Sequence, residues 1–226
     1  MLTTLFFDTE TNGLPSDRNA LTSDTVKWPH IVQLSWSLSK YEDNAWTLLS
    51  TATHYVCLPS EVPWNTGSGA IHKIPEATAR SGAAARDVLR GFQEAAAKAD
   101  VIVAHNLAFD KPVLRAALYR LNPAESFSWW PTLEYCTMEH TKALCKLPTK
   151  FAKPSDPWKY PRLVELYKYL FNKEANRDAL HTASGDVAVL IACFEELLAR
   201  RVVPFDTWLT NLRVRRLALA KASKLD

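Results

Sequence analysis

Hydrophobic and polar positions along the chain follow periods that shift between strand and helix and predict a mixed α/β order. Residues 2–7, LTTLFF, form an apolar, β-prone run bounded by the turn-prone Thr11-Asn12-Gly13, and read as a buried strand. Residues 30–39 alternate apolar Val32, Leu34, Trp36 and Leu38 with polar Gln33, Ser35, Ser37 and Ser39, the period of a half-buried strand. A third strand over 46–58 completes an antiparallel meander. Residues 59–75 are rich in Pro, Gly and Ser and predict a loop, and the alanine-rich stretch 77–98 predicts one helix, with Val88, Leu89 and Phe92 on its apolar face.

Farther along, DVIVA at 100–104 reads as a short strand, 111–121 as a helix and 133–137 as another strand. Such strand-to-helix passages present side chains at strand ends. Residues 147–161 carry Pro148, Pro154, Pro157 and Pro161 and are expected to be irregular, because proline donates no backbone hydrogen bond. Helices follow at 163–171 and 182–200, the latter with Val187, Leu190, Ile191, Phe194, Leu197 and Leu198 on its apolar face, and 205–225 predicts a basic helix or tail. No internal repeat or low-complexity segment interrupts this order.

Composition narrows the class without choosing a function. A length of 226 residues with 47% hydrophobic and 23% charged content suits one globular core. The formal charge of +3 is compatible with a polyanionic partner but too weak to identify one. Cys57, Cys136, Cys145 and Cys193 lie far apart without a CxxC pair, so a reducing intracellular compartment is expected. Cys136, His140 and Cys145 fall close together but match no usual zinc spacing. The N-terminal apolar run is too short for a leader, and no stretch reaches the roughly 18 apolar residues of a membrane span.

The chemistry lies in carboxylates. Asp8 and Glu10 stand two apart at the first strand and so project from one face. Asp110 follows the strand of VIVAHNLAFD, where an N-cap role would also explain it, and Asp186 opens a helix five residues after His181. An acid beside an apolar helix face needs exposure, a partner or a metal, because burying it unpaired is costly. Each could be structural if taken alone.

In order, D-x-E, A-H-N-x-x-F-D and H-x4-D resemble the DEDDh exonucleases, the DnaQ-like family of polymerase proofreading subunits and their relatives. The flanking Thr11, Gly13 and Leu14 and the run Ile71, His72, Ile74 extend the match, with Lys73 where family members often carry Gly. The resemblance implies an RNase H-like fold: a central mixed β-sheet, its first three strands antiparallel, flanked by α-helices. It implies that Asp8, Glu10, Asp110 and Asp186 ligate two Mg²⁺ or Mn²⁺ ions, and carboxylate oxygens do suit hard cations better than zinc. Two such ions can stabilise the attacking and the leaving oxygen of an in-line displacement. His181, with an ordinary pKa of about 6.5, then suits the role of general base. It would sit on the loop before the helix, since five residues of helix would turn it about 140° away from Asp186.

The same resemblance assigns Thr11, Leu14, His72, Asn106 and Phe109 to the terminal nucleotide and leaves His105 a supporting role. Trp129, Trp130, Trp158 and Tyr160, interleaved with Lys150, Lys153 and Lys159, are further candidates for stacking bases and attracting phosphates, as are Arg213, Arg215, Arg216, Lys221 and Lys224 in the tail. The expected activity is 3'-to-5' removal of nucleotides from single-stranded or frayed DNA, with RNA or oligoribonucleotides as the alternative substrate and a non-catalytic scaffold as a third reading. The expected exonuclease domain spans 1–204 and the basic helix or tail 205–226, with a polymerase or another nucleic-acid-processing complex as an expected partner.

Overall fold

The computed structural model describes residues 1–131, 133–175 and 182–222, the side chains at 213 and 215–222 excepted. A five-stranded mixed sheet, ordered β3-β2-β1-β4-β5, forms its centre. Strands β1 (Leu2–Thr11), β2 (Ile31–Glu42) and β3 (Ala45–Tyr55) make the antiparallel meander. Asp43 and Asn44, both at positive φ, turn the chain between β2 and β3, the backbone a two-residue hairpin requires. Strands β4 (Val101–Ala104) and β5 (Leu133–Cys136) then add in parallel to β1, so the C-terminal ends of β1, β4 and β5 point the same way.

Alternation along β1 splits its side chains between two cores. Leu5 and Phe7 face one core with Leu34, Trp36 and Leu38 of β2, Val88, Leu89 and Phe92 of α3 (Ala85–Ala96), and Val113 and Leu114 of α4 (Leu107–Leu121). Leu2 and Phe6 face the other with Leu166 and Leu170 of α6 (Leu163–Phe171), Leu190 and Phe194 of α7 (Ala183–Ala199), and Trp208 and Leu212 of α8 (Phe205–Ala222). Period-two geometry thus puts Asp8 and Glu10 on the α7 side. Among the described residues, no helix is long and apolar enough to cross a membrane.

Several elements depart from the sequence expectation. Strand β2 is buried on both faces: Gln33, Ser35, Ser37 and Ser39 lie under α7, and their small or hydrogen-bonding side chains let a helix sit close to the sheet. The loop 59–75 contains α1 (Thr66–His72), started by the Asn65 side chain, which accepts from the Ser68 amide at 3.0 Å. The helix expected over 77–98 is two, α2 (Glu76–Arg80) and α3, because residues 81–84 leave the helix to pair with the end of β3. There the Ala83 amide donates to Tyr55 O and the Cys57 amide to Ala83 O, both at 2.8 Å. Gly82 makes this approach possible, since a Cβ there would stand 2.6 Å from the Val56 carbonyl carbon. Residues 147–161 fold as a two-stranded hairpin, β6 (Pro148–Lys153) and β7 (Asp156–Trp158), rather than irregularly. Helix α5 (Thr137–Cys145) links β5 to that hairpin.

Candidate active site

At the C-terminal end of β1, Asp8 pairs across the ladder with Ser35 and Glu10 with Gln33, so both carboxylates emerge on the face that α7 covers. Helix α7 arrives over that face with Asp186 in its first turn. The Thr182 hydroxyl caps it by accepting from the Gly185 amide at 3.1 Å, and the Ala183 amide donates to Gln33 Oε1 at 2.7 Å. Asp8, Glu10 and Asp186 each offer one carboxylate oxygen, and these three atoms lie within 4.8 Å of one another.

Asp110 enters from the opposite side of the sheet. Helix α4 begins one residue after Asn106, whose φ of 76° and ψ of 47° form its N-cap, so Asp110 lies inside the first turn and is not the cap itself. The left-handed backbone of Asn106 lets the chain leave β4 and enter α4 at once. Asp110 is buried, and its Oδ1 accepts a 2.6 Å hydrogen bond from Thr9 Oγ1, a side chain that points away from its neighbours Asp8 and Glu10.

The electrostatics follow from crowding acids in a poorly hydrated place. Burial, followed by the charges of Asp110, Asp186 and Glu10, holds the Asp8 carboxyl well above the usual carboxylate range. Glu10 is pushed up to about 8 by burial and then by Asp186 and Asp110. Burial raises Asp110 too, against the opposing hydrogen bonds from Thr9. Like charges this close cannot all ionise without a compensating cation. The donor set is carboxylate oxygen throughout, which fits hard divalent ions such as Mg²⁺ or Mn²⁺. Cys136, His140 and Cys145 form no candidate metal group among the described residues; His140 Nδ1 instead lies 2.9 Å from Cys136 O.

His181, expected to be the general base, lies outside the described residues. His105 is tied on both ring nitrogens, to Thr137 Oγ1 at 2.9 Å and to Pro161 O at 3.0 Å, and burial lowers its pKa to about 4. A neutral, doubly held imidazole suits support and not proton transfer. Thr11 donates from its hydroxyl to Gly13 O at 2.7 Å, shaping the turn that leaves Leu14 70% exposed. Leu14 borders a groove of about 570 Å³ with Gly13, Trp28, Asn65 and Arg120. Phe109 is half-buried against the α3–α4 core. His72 is buried, its Nδ1 accepts from the Ile74 amide at 3.1 Å, and its Nε2 has no hydrogen-bond partner among the described residues.

Of the aromatic candidates, Trp129 and Trp130 pack against the core, Trp158 is half-buried and Tyr160 is exposed. Arg213, Arg215, Arg216 and Lys221 lie on α8 with side chains outside the described set, and Lys224 is outside the described residues altogether. Sequence reasoning missed two residues. Gln33 was hidden among the polar positions of an apparently half-exposed strand, and Thr9 inside an apolar one.

A family model described as Exonuclease (RNase T) matches residues 55–194. No curated protein matches the chain. Among solved structures, Escherichia coli exonuclease I in complex with a dT13 oligonucleotide aligns with a TM-score of 0.69 and 19% identity, covering 92% of this chain and 43% of that one. A zinc-ion-bound form of the E. coli exonuclease I–single-stranded DNA complex aligns with a TM-score of 0.69 and 18% identity, covering 92% and 43%. Exonuclease I from the moderately thermophilic Methylocaldum szegediense aligns at 0.63 and 17%, covering 88% and 41%. The chain therefore spans about two fifths of the length of these exonucleases, and the likeness bears on the fold: the RNase H-like arrangement of a mixed sheet flanked by helices.

Proposed function

Because the chain belongs to the RNase T exonuclease family, we propose that it removes nucleotides stepwise from the 3' ends of single-stranded DNA, with Asp8, Glu10, Asp110 and Asp186 holding two divalent cations and His181 as general base. The observation that carries this reading is the convergence of Asp8, Glu10 and Asp186 oxygens within 4.8 Å, with Asp110 close enough to raise the pKa of its neighbours. Preference for DNA draws support from the shared fold of exonuclease I, whose structures hold DNA oligonucleotides.

When bound, Mg²⁺ or Mn²⁺ ions supply charge stabilisation to the attacking and the leaving oxygen of an in-line phosphodiester displacement. The protein's part is to hold four carboxyl groups in place before substrate arrives. Asp8 and Glu10 are fixed by the β1–β2 ladder, Asp186 by the capped end of α7, and Asp110 by Thr9. His181, five residues before Asp186 in sequence, takes the proton from the attacking water. Leu14 wedges against the terminal bases, Phe109, Thr11 and Asn106 border the same end of the sheet, and the buried His72 supports that end from beneath. The four free cysteines accord with a reducing compartment.

The test is digestion of 5'-labelled single-stranded DNA, duplex DNA and RNA with Mg²⁺, with Mn²⁺ or with EDTA, alongside Asp186→Ala. A ladder shortening from the 3' end of single-stranded DNA, lost on chelation and in the variant, is the expected result. A ladder confined to RNA would move the proposal to oligoribonucleotides, and binding without cleavage would leave a scaffold.

A further inference from the structure

The β6–β7 hairpin takes no part in the cleavage chemistry. Its foot is tied to the end of β4 that leads into the helix carrying Asp110: the Lys159 amide donates to Leu147 O at 3.0 Å, and Pro161 O meets His105, the residue before the Asn106 cap of α4. Beyond that foot, residues 150–157 are all exposed. Phe151 is 77% exposed, and Lys150 Nζ lies 5.1 Å from its ring centre. Phe151 and Lys153, two apart on one strand, share a face.

The charge is one-sided. Between 146 and 162 stand Lys146, Lys150, Lys153, Lys159 and Arg162 against Asp156 alone. Lys159 and Arg162 are spent on Glu165, and Asp156 on Lys142. Lys146, Lys150 and Lys153 form no ion pair among the described residues. A single exposed phenylalanine is unremarkable. One flanked by two unpaired lysines, on a hairpin of a length that is marginal without further packing, offers a ring face to bases and cations to phosphates.

We propose that this hairpin binds the single-stranded part of the substrate upstream of the 3' end, Phe151 stacking on a base and Lys150 and Lys153 contacting phosphates. The proposal deepens the exonuclease reading and rests on it for the identity of the ligand. It predicts that affinity grows with strand length once the strand reaches the hairpin, and that a dinucleotide gains nothing from it.

The experiment measures binding of fluorescent oligo-dT to the full chain in EDTA, where no cleavage occurs, across a salt series. It compares the wild type with Phe151→Ala and with Lys150→Ala/Lys153→Ala, all at exposed positions where the melting temperature is expected to hold. Phe151→Ala is expected to weaken binding about tenfold. The double lysine variant should reduce the slope of log K against log salt by about 1.4, two phosphate contacts at roughly 0.7 each. With metal, KM for long strands should rise while kcat and dinucleotide turnover hold. Unchanged affinity and slope in both variants overturn the proposal while leaving the exonuclease reading intact. A wild type that binds oligo-dT without cutting it, with binding lost in the variants, sinks that reading and upholds the hairpin.

Discussion

Gln33 Oε1 accepts the amide hydrogen of Ala183 at 2.7 Å in a buried bond that spans 150 residues of sequence, on the rung where Gln33 faces Glu10. A single side chain therefore couples the strand pair carrying two acids to the helix carrying a third. Gln33→Leu keeps the bulk and removes the acceptor, leaving a buried N–H unsatisfied at a cost of about 1–3 kcal/mol. A melting temperature lower by several degrees is expected, with the divalent-ion concentration for half-maximal activity raised and KM for oligonucleotide unchanged. Gln33→Asn, which keeps a neutral acceptor on a shorter side chain, should recover part of the stability. Melting curves and metal titrations of the two variants check this, and an unchanged metal requirement in Gln33→Leu would mark Gln33 as structural only.

Neutralising one acid should separate stability from activity. Asp8 is raised by burial and by three neighbouring carboxylates, so Asp8→Asn relieves repulsion in the metal-free protein. Its melting temperature in EDTA is expected to rise by about 2–4 °C for each kcal/mol relieved. Nuclease activity with Mg²⁺ should be lost in the same protein, as should the stabilisation that Mg²⁺ gives the wild type.

The pH dependence has a definite sign. Glu10 has a folded pKa of about 8 against an ordinary 4.5, so between those values the folded protein holds a proton that the unfolded chain has released. Its contribution to stability is complete below 4.5 and is lost as pH rises through 8. Metal-free protein should therefore melt at progressively lower temperature from pH 5 towards pH 8, with the raised Asp8 and Asp110 acting in the same direction, and saturating Mg²⁺ should flatten the slope. Thermal scans in EDTA and in Mg²⁺ across that range decide it; a metal-free profile that rises towards pH 8 would contradict the crowded-acid picture.

Lys73 closes α1 at φ 58° and ψ 16°, the left-handed region that glycine enters without strain. Lys73→Gly exchanges the side-chain clash for extra freedom in the unfolded chain, with a net stabilisation of about 0.5–1 kcal/mol. Chemical denaturation measures it, and turnover should not change.

The acids were legible because their spacing carries geometry: D-x-E on a period-two strand puts two carboxylates on one face, and Asp186 stands where a helix starts. Helix α6 was equally plain, its apolar run ending at Asn172, which caps it at positive φ. What stayed hidden depended on partners distant in sequence. Serines 35, 37 and 39 read as solvent-facing, since a small polar residue under a helix carries the same signature as one in water. The alanine-rich pattern continues through residues 81–84, so the break between α2 and α3 becomes visible only once Gly82 is seen against the β3 backbone. Prolines concealed the β6–β7 hairpin because Pro148 opens a strand at an exposed edge, where its missing donor costs nothing.

The wide separation of the acids along the chain sets a timetable for biosynthesis. Asp8 and Glu10 are made first and Asp110 midway, but the oxygen cluster needs Asp186, which comes into place when α7 docks over β1 and β2. At roughly 5–20 residues per second, a ribosome takes on the order of ten seconds or more to pass from the first acid to the last. Throughout that interval the nascent chain lacks at least one of the four carboxylates proposed to hold metal. On the proposed reading, the order of the acids leaves the site incomplete until α7 is in place.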